Sequence, residues 1–233
     1  LPEVKKKADM LKNKLGDKTV ILSVDRLDYS KGILHRLTGF AQFLQNHQEY
    51  HEKVSLAMIV VPSRDSVDIY ADLKTKIDQS IGEINGKYSR LGWTPIFYFY
   101  RSFTFEELIA MYDISDIALV TPLRDGMNLV AKEYLASKCN EPGVLILSEM
   151  AGAAIELQDA IIINPNDTDQ IENAILQALT MTSEEKNKRL QKMQKKISRD
   201  NVKKWANDFV IELQSIKAQN KDILQKIVGK RQL

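Results

Sequence analysis

Two permanent cations stand close together in Asp25-Arg26-Leu27-Asp28-Tyr29-Ser30-Lys31-Gly32, a polar stretch that follows an apolar run and leads into a helical pattern. Arginine offers a planar fork of N–H donors and lysine a mobile point charge. A helix start adds backbone amides and a favourable dipole. Together they suit an anion such as a diphosphate. The competing reading is a solvated loop in which Asp25 and Asp28 pair with the cations. A second stretch, Thr121-Pro122-Leu123-Arg124-Asp125-Gly126-Met127-Asn128-Leu129-Val130-Ala131-Lys132-Glu133-Tyr134, sets one acid ahead of a helical pattern and another within it. Gly126 would let the backbone turn sharply and a ligand come close. The amides of Gly126, Met127, Asn128, Leu129 and Val130 would then form a first helical turn, with donors that have no partner inside the helix. Glu133 falls roughly two turns later, near the same face. Taken alone, Asp125 is an N-cap and Glu133 a surface carboxylate. Their conjunction with the cationic stretch is what points to a ligand.

Positioning these residues requires elements that end where they begin. Short apolar runs at Thr19–Val24, Ser55–Val61, Ile96–Tyr100, Ile117–Thr121, Val144–Leu147 and Ile161–Ile163 read as strands covered on both faces. Helical periodicity separates them, at Ile33–Leu44, Val67–Ile84, Glu106–Tyr112, Val130–Ser137, Ala151–Leu157 and Gln170–Leu179, with Val4–Leu15 in front and Glu184–Ile216 behind. The alternation predicts one α/β domain over residues 1–233, a Rossmann-like doubly wound parallel sheet. In such sheets ligands bind beyond the carboxyl ends of the strands, which is where both stretches lie. Neither G-x-G-x-x-G nor G-x-x-x-x-G-K-[ST] occurs, so a nucleotide would have to be held by other means than in a dehydrogenase or a P-loop NTPase.

Composition narrows the class. With 44% hydrophobic and 27% charged residues the 233-residue chain is neither disordered nor fibrous. No run of about 20 apolar residues is present to span a bilayer, and the first residues show no signal-peptide pattern. One cysteine, Cys139, excludes a disulfide framework and fits a reducing, cytoplasmic setting. No ligand cluster for a metal is evident, and neither metal nor cofactor is expected. The net charge is +2, but from Glu184 onward 14 Lys and Arg face six Asp and Glu. That basic tail could address nucleic acid or a membrane. Its lysines alternate with Leu190, Met193 and Ile197 at helical spacing, which favours the wet face of an amphipathic helix, with neither nucleic acid nor membrane as partner. A first residue of leucine rather than methionine reads as a piece cut from something longer.

The runs DRLDYSKG, INGKYSRLGWTP, LVTPLRDGMNLVAKEY and GVLILSEMAGAA together resemble the trehalose-6-phosphate synthase family of retaining glycosyltransferases, from about Leu1 to about Ile216. The resemblance implies the GT-B fold, two Rossmann-like domains facing across a cleft, of which this is the carboxyl-terminal one. It implies that Arg26 and Lys31 grip the diphosphate of a donor, usually UDP-glucose. Asp125 and the amides from Gly126 to Val130 would hold the glucose and phosphate oxygens, with Asp125, Arg26 and Lys31 as the catalytic groups. Glu133 would accept hydrogen bonds from the ribose, and the backbone near Phe103 would meet the base. Arg64 would reach the phosphate of the acceptor, glucose 6-phosphate; read without the resemblance, it is an exposed arginine at a helix start. His35, His47 and His51 match no catalytic position and read as surface residues.

The resemblance implies that the amino-terminal domain of such an enzyme lies outside this sequence, and that the helical tail of about residues 184–233 would cross back onto it, leaving Trp205 and Phe209 partly exposed without it. The implied activity belongs to the intact enzyme, and this half alone is expected to bind nucleotide sugar weakly without catalysing transfer. Three alternatives stay open: a related GT-B transferase such as a glucosylglycerol-phosphate synthase or one using ADP- or GDP-glucose, a non-catalytic regulatory subunit, and a bifunctional parent with a downstream phosphatase domain. A homo-oligomer is also left open.

Overall fold

The computed structural model describes residues 2–64, 67–139 and 141–229, with side chains to residue 216. Six parallel strands, β1 (Thr19–Arg26), β2 (Val54–Val61), β3 (Ile96–Phe99), β4 (Ile117–Val120), β5 (Val144–Ser148) and β6 (Ile161–Ile163), form one sheet in the order β3-β2-β1-β4-β5-β6. The order reverses direction between β1 and β4, and this is the switch point at which open α/β sheets build their ligand crevices. The doubly wound expectation holds. β4 and β5 are buried throughout, as continuous apolar runs demand, whereas the edge strand β6 alternates and leaves Ile162 exposed.

The helices divide between the two faces. α2 (Ile33–Asn46), α3 (Asp68–Tyr88) and α7 (Thr168–Thr180) form one layer; α1 (Pro2–Leu15), α4 (Phe105–Ile114) and α5 (Leu129–Ser137) form the other. On the first face Leu37, Phe40 and Phe43 of α2 meet Leu56, Met58 and Val60 of β2 and Ile171 and Ile175 of α7, all essentially unexposed. Each such side chain contributes about 1.5–3 kcal/mol relative to exposure.

The histidines correct the expectation of surface residues. All three are half-buried. His47 Nε2 lies 3.2 Å from the buried Glu172 of α7, and His51 Nε2 lies 2.7 Å from the Leu44 carbonyl with its ring stacked on Trp93. His47 and His51 sit where the turn after α2 packs back on the core, whereas His35 lies in the first turn of α2.

Other differences have local causes. β1 runs two residues further than its apolar pattern, because Asp25 and Arg26 pair in register with Val60 and Val61 of β2. The helix read over Ala151–Leu157 shrinks to α6 (Ala153–Glu156), since Ala151 bridges to Asp125 instead. The long terminal stretch is two helices, α8 (Ser183–Arg199) and α9 (Val202–Gly229). Asn201 breaks it by accepting from the amides of Lys203 and Lys204 at 3.0 and 3.2 Å. The chain also falls into two compact units, dividing between Gln194 and Lys195. In the second unit Trp205 and Phe209 stack at 5.6 Å and are 62% and 54% exposed.

Candidate functional site

Alternation along β1 sorts the first polar stretch. Successive strand residues face opposite sides, so Asp25 turns inward and is buried while Arg26 turns out and is exposed. The solvated-loop reading therefore fails in its particulars. Asp25 pairs with Arg36 of α2, at 2.7 Å, and not with Arg26. Asp28 caps the short 3-10 turn Tyr29–Lys31, accepting from the Ser30 amide at 2.9 Å and the Ser30 hydroxyl at 2.7 Å. Partial burial pushes the Asp28 carboxyl up, but those donors outweigh it and hold it below the usual range. Among the described residues the Arg26 guanidinium forms no ion pair.

Gly32 closes that turn in the left-handed region, at φ 65°, and a Cβ there would stand 2.2 Å from the Thr121 carbonyl. Only glycine lets the β1 loop lie this tightly against the end of β4. Gly32→Ala is expected to destabilise by more than the roughly 1–2 kcal/mol that left-handed backbone alone costs. The midpoint of urea unfolding, followed by the fluorescence of the buried Trp93, checks this.

Backbone hydrogen bonds then join three loops along one rim. Leu123 N donates to Ser30 O at 2.7 Å, tying the loop after β4 to the loop after β1. Asp125 N donates to Met150 O, Gly152 N to Asp125 O and Ala153 N to Met127 O, at 3.2, 2.9 and 2.7 Å, tying it to the loop after β5. Gly152 is required for that approach, because a Cβ would fall 2.1 Å from Gly126 O. The outcome is a direct contact: Lys31 Nζ lies 2.7 Å from Asp125 Oδ2, with both side chains 16% exposed. Burial pushes the Asp125 carboxyl up. The Lys31 ammonium, the Met127 amide and the Asn128 side-chain amide more than offset this, and the carboxyl sits below its ordinary value. The pair is accordingly intact at neutral pH and comes apart only on acidification below the usual carboxylate range.

The amide row needs correcting. Asn128 adopts φ 77° and cannot be helical; its Oδ1 caps α5 by accepting from Ala131 N at 3.0 Å. Gly126 and Met127 thus lie in the loop, and only Leu129 and Val130 contribute first-turn amides. Gly126 has ordinary φ, and nothing lies within 4 Å of where its Cβ would be. The space over it is open. Glu133 sits little more than one turn into α5, exposed, its Oε2 accepting from Tyr112 OH at 3.0 Å.

The remaining candidates lie past neighbouring strand ends on the same rim. Arg64, three residues after β2, has φ 56°, is exposed, and donates to Tyr70 OH at 3.0 Å. Tyr70 in turn meets Tyr29 of the β1 loop, ring centroids 6.1 Å apart. Phe103, four residues after β3, is half-buried edge-on to Phe99 beneath the Arg101 guanidinium, 4.1 Å from its ring centroid.

Sequence reasoning passed over Arg36. It is unexposed and reaches Asp25, Ser23 Oγ, Thr121 Oγ1 at 3.0 Å and the Lys31 carbonyl at 3.2 Å, so it anchors both loop roots. A signal was present: Arg36 falls on the apolar stripe of α2 with Ile33, Leu37 and Phe40, where a charge is buried unless it is paired. A cavity of about 850 Å³ opens elsewhere, between α1 and α4, lined by Val4, Ala8, Phe105 and Ile109 among others. No rim candidate lines it, so volume alone would misplace the site. Among the described residues no cluster of His, Cys, Asp or Glu could hold a metal, and no helix is long and apolar enough to cross a membrane.

The sequence profile of glycosyltransferase family 20 matches residues 1–215. The chain belongs to glycosyltransferase family 20. It is 44% identical, over 222 residues, to a bifunctional trehalose-6-phosphate synthase/phosphatase of Thermoproteus tenax, covering 95% of this chain and 30% of the relative. It is 41% identical, over 209 residues, to a glucosylglycerol-phosphate synthase of Synechocystis, covering 90% and 42%. An Escherichia coli trehalose-6-phosphate protein solved bound with UDP-2-fluoro glucose superposes with a TM-score of 0.85 at 40% identity, covering 91% of this chain and 49% of that one. The family 20 chain therefore spans half or less of the length of these proteins.

Proposed function

We propose that the chain is the donor-binding half of a synthase that transfers glucose from UDP-glucose to glucose 6-phosphate with retention, giving trehalose 6-phosphate. The convergence of Lys31 with Asp125 at the switch-point rim, beside the exposed Arg26, carries this reading. Arg26 and Lys31 face the diphosphate, and the Leu129 and Val130 amides add donors. Asp125 receives hydroxyl groups of the glucose over the open space at Gly126. Glu133 takes the ribose, the Phe103 backbone the base, and Arg64 the acceptor phosphate. As the glucosyl–oxygen bond breaks and an oxocarbenium-like centre forms, negative charge grows on the departing diphosphate. Fixed cations and amides stabilise that state more than the ground state. Attack from the same face gives retention.

The acceptor side is completed by an amino-terminal domain, against which the exposed Trp205 and Phe209 would seat; a bifunctional parent with a phosphatase domain is compatible with the Thermoproteus relative. The Synechocystis relative supports a second reading with the same donor half and a glucosylglycerol-phosphate product. The chain alone is expected to bind UDP in calorimetry yet form no trehalose 6-phosphate from UDP-glucose and glucose 6-phosphate. Robust turnover would show that the other half is dispensable, and absence of UDP binding would sink the donor-site reading.

A further inference from the structure

A glutamate on an exposed helix turn ordinarily samples several rotamers, but Glu133 is held. Tyr112 OH, from α4, donates to its Oε2 at 3.0 Å. The tyrosine is 1% exposed, its ring edge-on to Tyr134 with centroids 6.4 Å apart. Tyr134 is itself fully buried, and its hydroxyl lies 3.2 and 3.1 Å from the carbonyls of Ser115 and Asp116, just ahead of β4. The Glu133 carboxylate is thereby referenced to the sheet rather than only to its own helix. Burial, and next the charge of Glu133, push the ionisation of Tyr112 far above its ordinary range, so the phenol keeps its proton and remains a donor. Among the described residues Oε1 of Glu133 accepts no hydrogen bond.

We propose that Tyr112 is a positioning residue for nucleoside recognition: it sets the Glu133 carboxylate in advance, with Oε2 occupied and Oε1 presented to the ribose diol. The inference rests on the donor-site reading of Glu133 and deepens it. The torsional entropy of the glutamate is lost on folding rather than on binding, and such preorganisation raises affinity without adding a contact to the ligand. A hydrogen bond serving only the packing of α4 on α5 would be indifferent to what the ribose carries.

Calorimetric titration of the chain and of Tyr112→Phe with UDP and with 2′,3′-dideoxy-UDP separates the two. UDP is expected to bind Tyr112→Phe about five- to tenfold more weakly, while the dideoxy nucleotide binds both proteins alike. Adding Tyr112→Phe to Glu133→Ala should weaken UDP no further. An equal loss with both nucleotides, or a loss with neither, overturns the proposal; the thermal midpoint of Tyr112→Phe confirms that the folded protein is being titrated. A parent chain that binds both nucleotides equally removes Glu133 from the ribose and overturns the inference while the diphosphate reading stands. Binding of neither nucleotide overturns both.

Discussion

Truncating Lys31 to alanine is expected to weaken UDP binding by roughly 10- to 100-fold, the range that a charge-assisted hydrogen bond of about 1.5–3 kcal/mol supports. Two effects add. The diphosphate loses a cation, and Asp125, no longer neutralised at 2.7 Å, is left as a fixed anion beside it. The second effect makes the prediction specific. Asp125→Asn alone should bind UDP at least as tightly as the parent, because Lys31 is released and the local negative charge is gone. Lys31→Ala combined with Asp125→Asn should recover part of the affinity that Lys31→Ala loses. UDP-glucose should behave differently if, as proposed, Asp125 meets the glucose: Asp125→Asn should then lose the advantage of UDP-glucose over UDP. Calorimetry with the two nucleotides on the four proteins decides it. Unchanged UDP affinity in Lys31→Ala would remove the ammonium from the diphosphate and leave the Lys31–Asp125 pair a structural bridge between loops.

Much of this geometry was legible in the sequence, and what was not has identifiable causes. The strand runs gave the α/β order because a sheet covered on both faces needs continuous apolar segments, and that placed both polar stretches at carboxyl ends. Period-two alternation could have assigned Asp25 inward and Arg26 outward, but only once β1 was known to reach Arg26. That extension depends on pairing with Val60 and Val61, a long-range fact absent from local hydropathy. The helix itself reads to within one residue of α5, but the row of first-turn amides falls too early because Gly126 looks like the turn residue, whereas the left-handed position is Asn128. Asparagine tolerates that conformation, and its side chain also caps the helix. The Tyr112–Glu133 contact joins different helices and has no sequence signature. Arg36 had one, as a charge on an apolar stripe, and naming its partner required the fold.

Arg36→Met should therefore be costly in a way that its absence from the ligand surface does not suggest. The substitution keeps most of the stem and removes the guanidinium, leaving Asp25 buried without its counter-ion; breaking a buried pair in this way costs about 3–5 kcal/mol. Asp25 already shows the tension, because burial raises its ionisation above the ordinary value even with Arg36 drawing it down. Adding Asp25→Leu should restore most of the stability, since an apolar pair of similar volume carries no desolvation penalty. Trp93, 3% exposed in the core, reports the urea midpoint of each protein. Stability and binding should then part company. In the restored protein the Lys31 carbonyl and Thr121 Oγ1 lose the guanidinium that joins them, so the β1 and β4 loops lose one of their shared ties. UDP affinity should stay low although the midpoint returns. If affinity returns as well, Arg36 is only a filler of the core, and the cationic turn is held by Gly32 and its backbone hydrogen bonds alone.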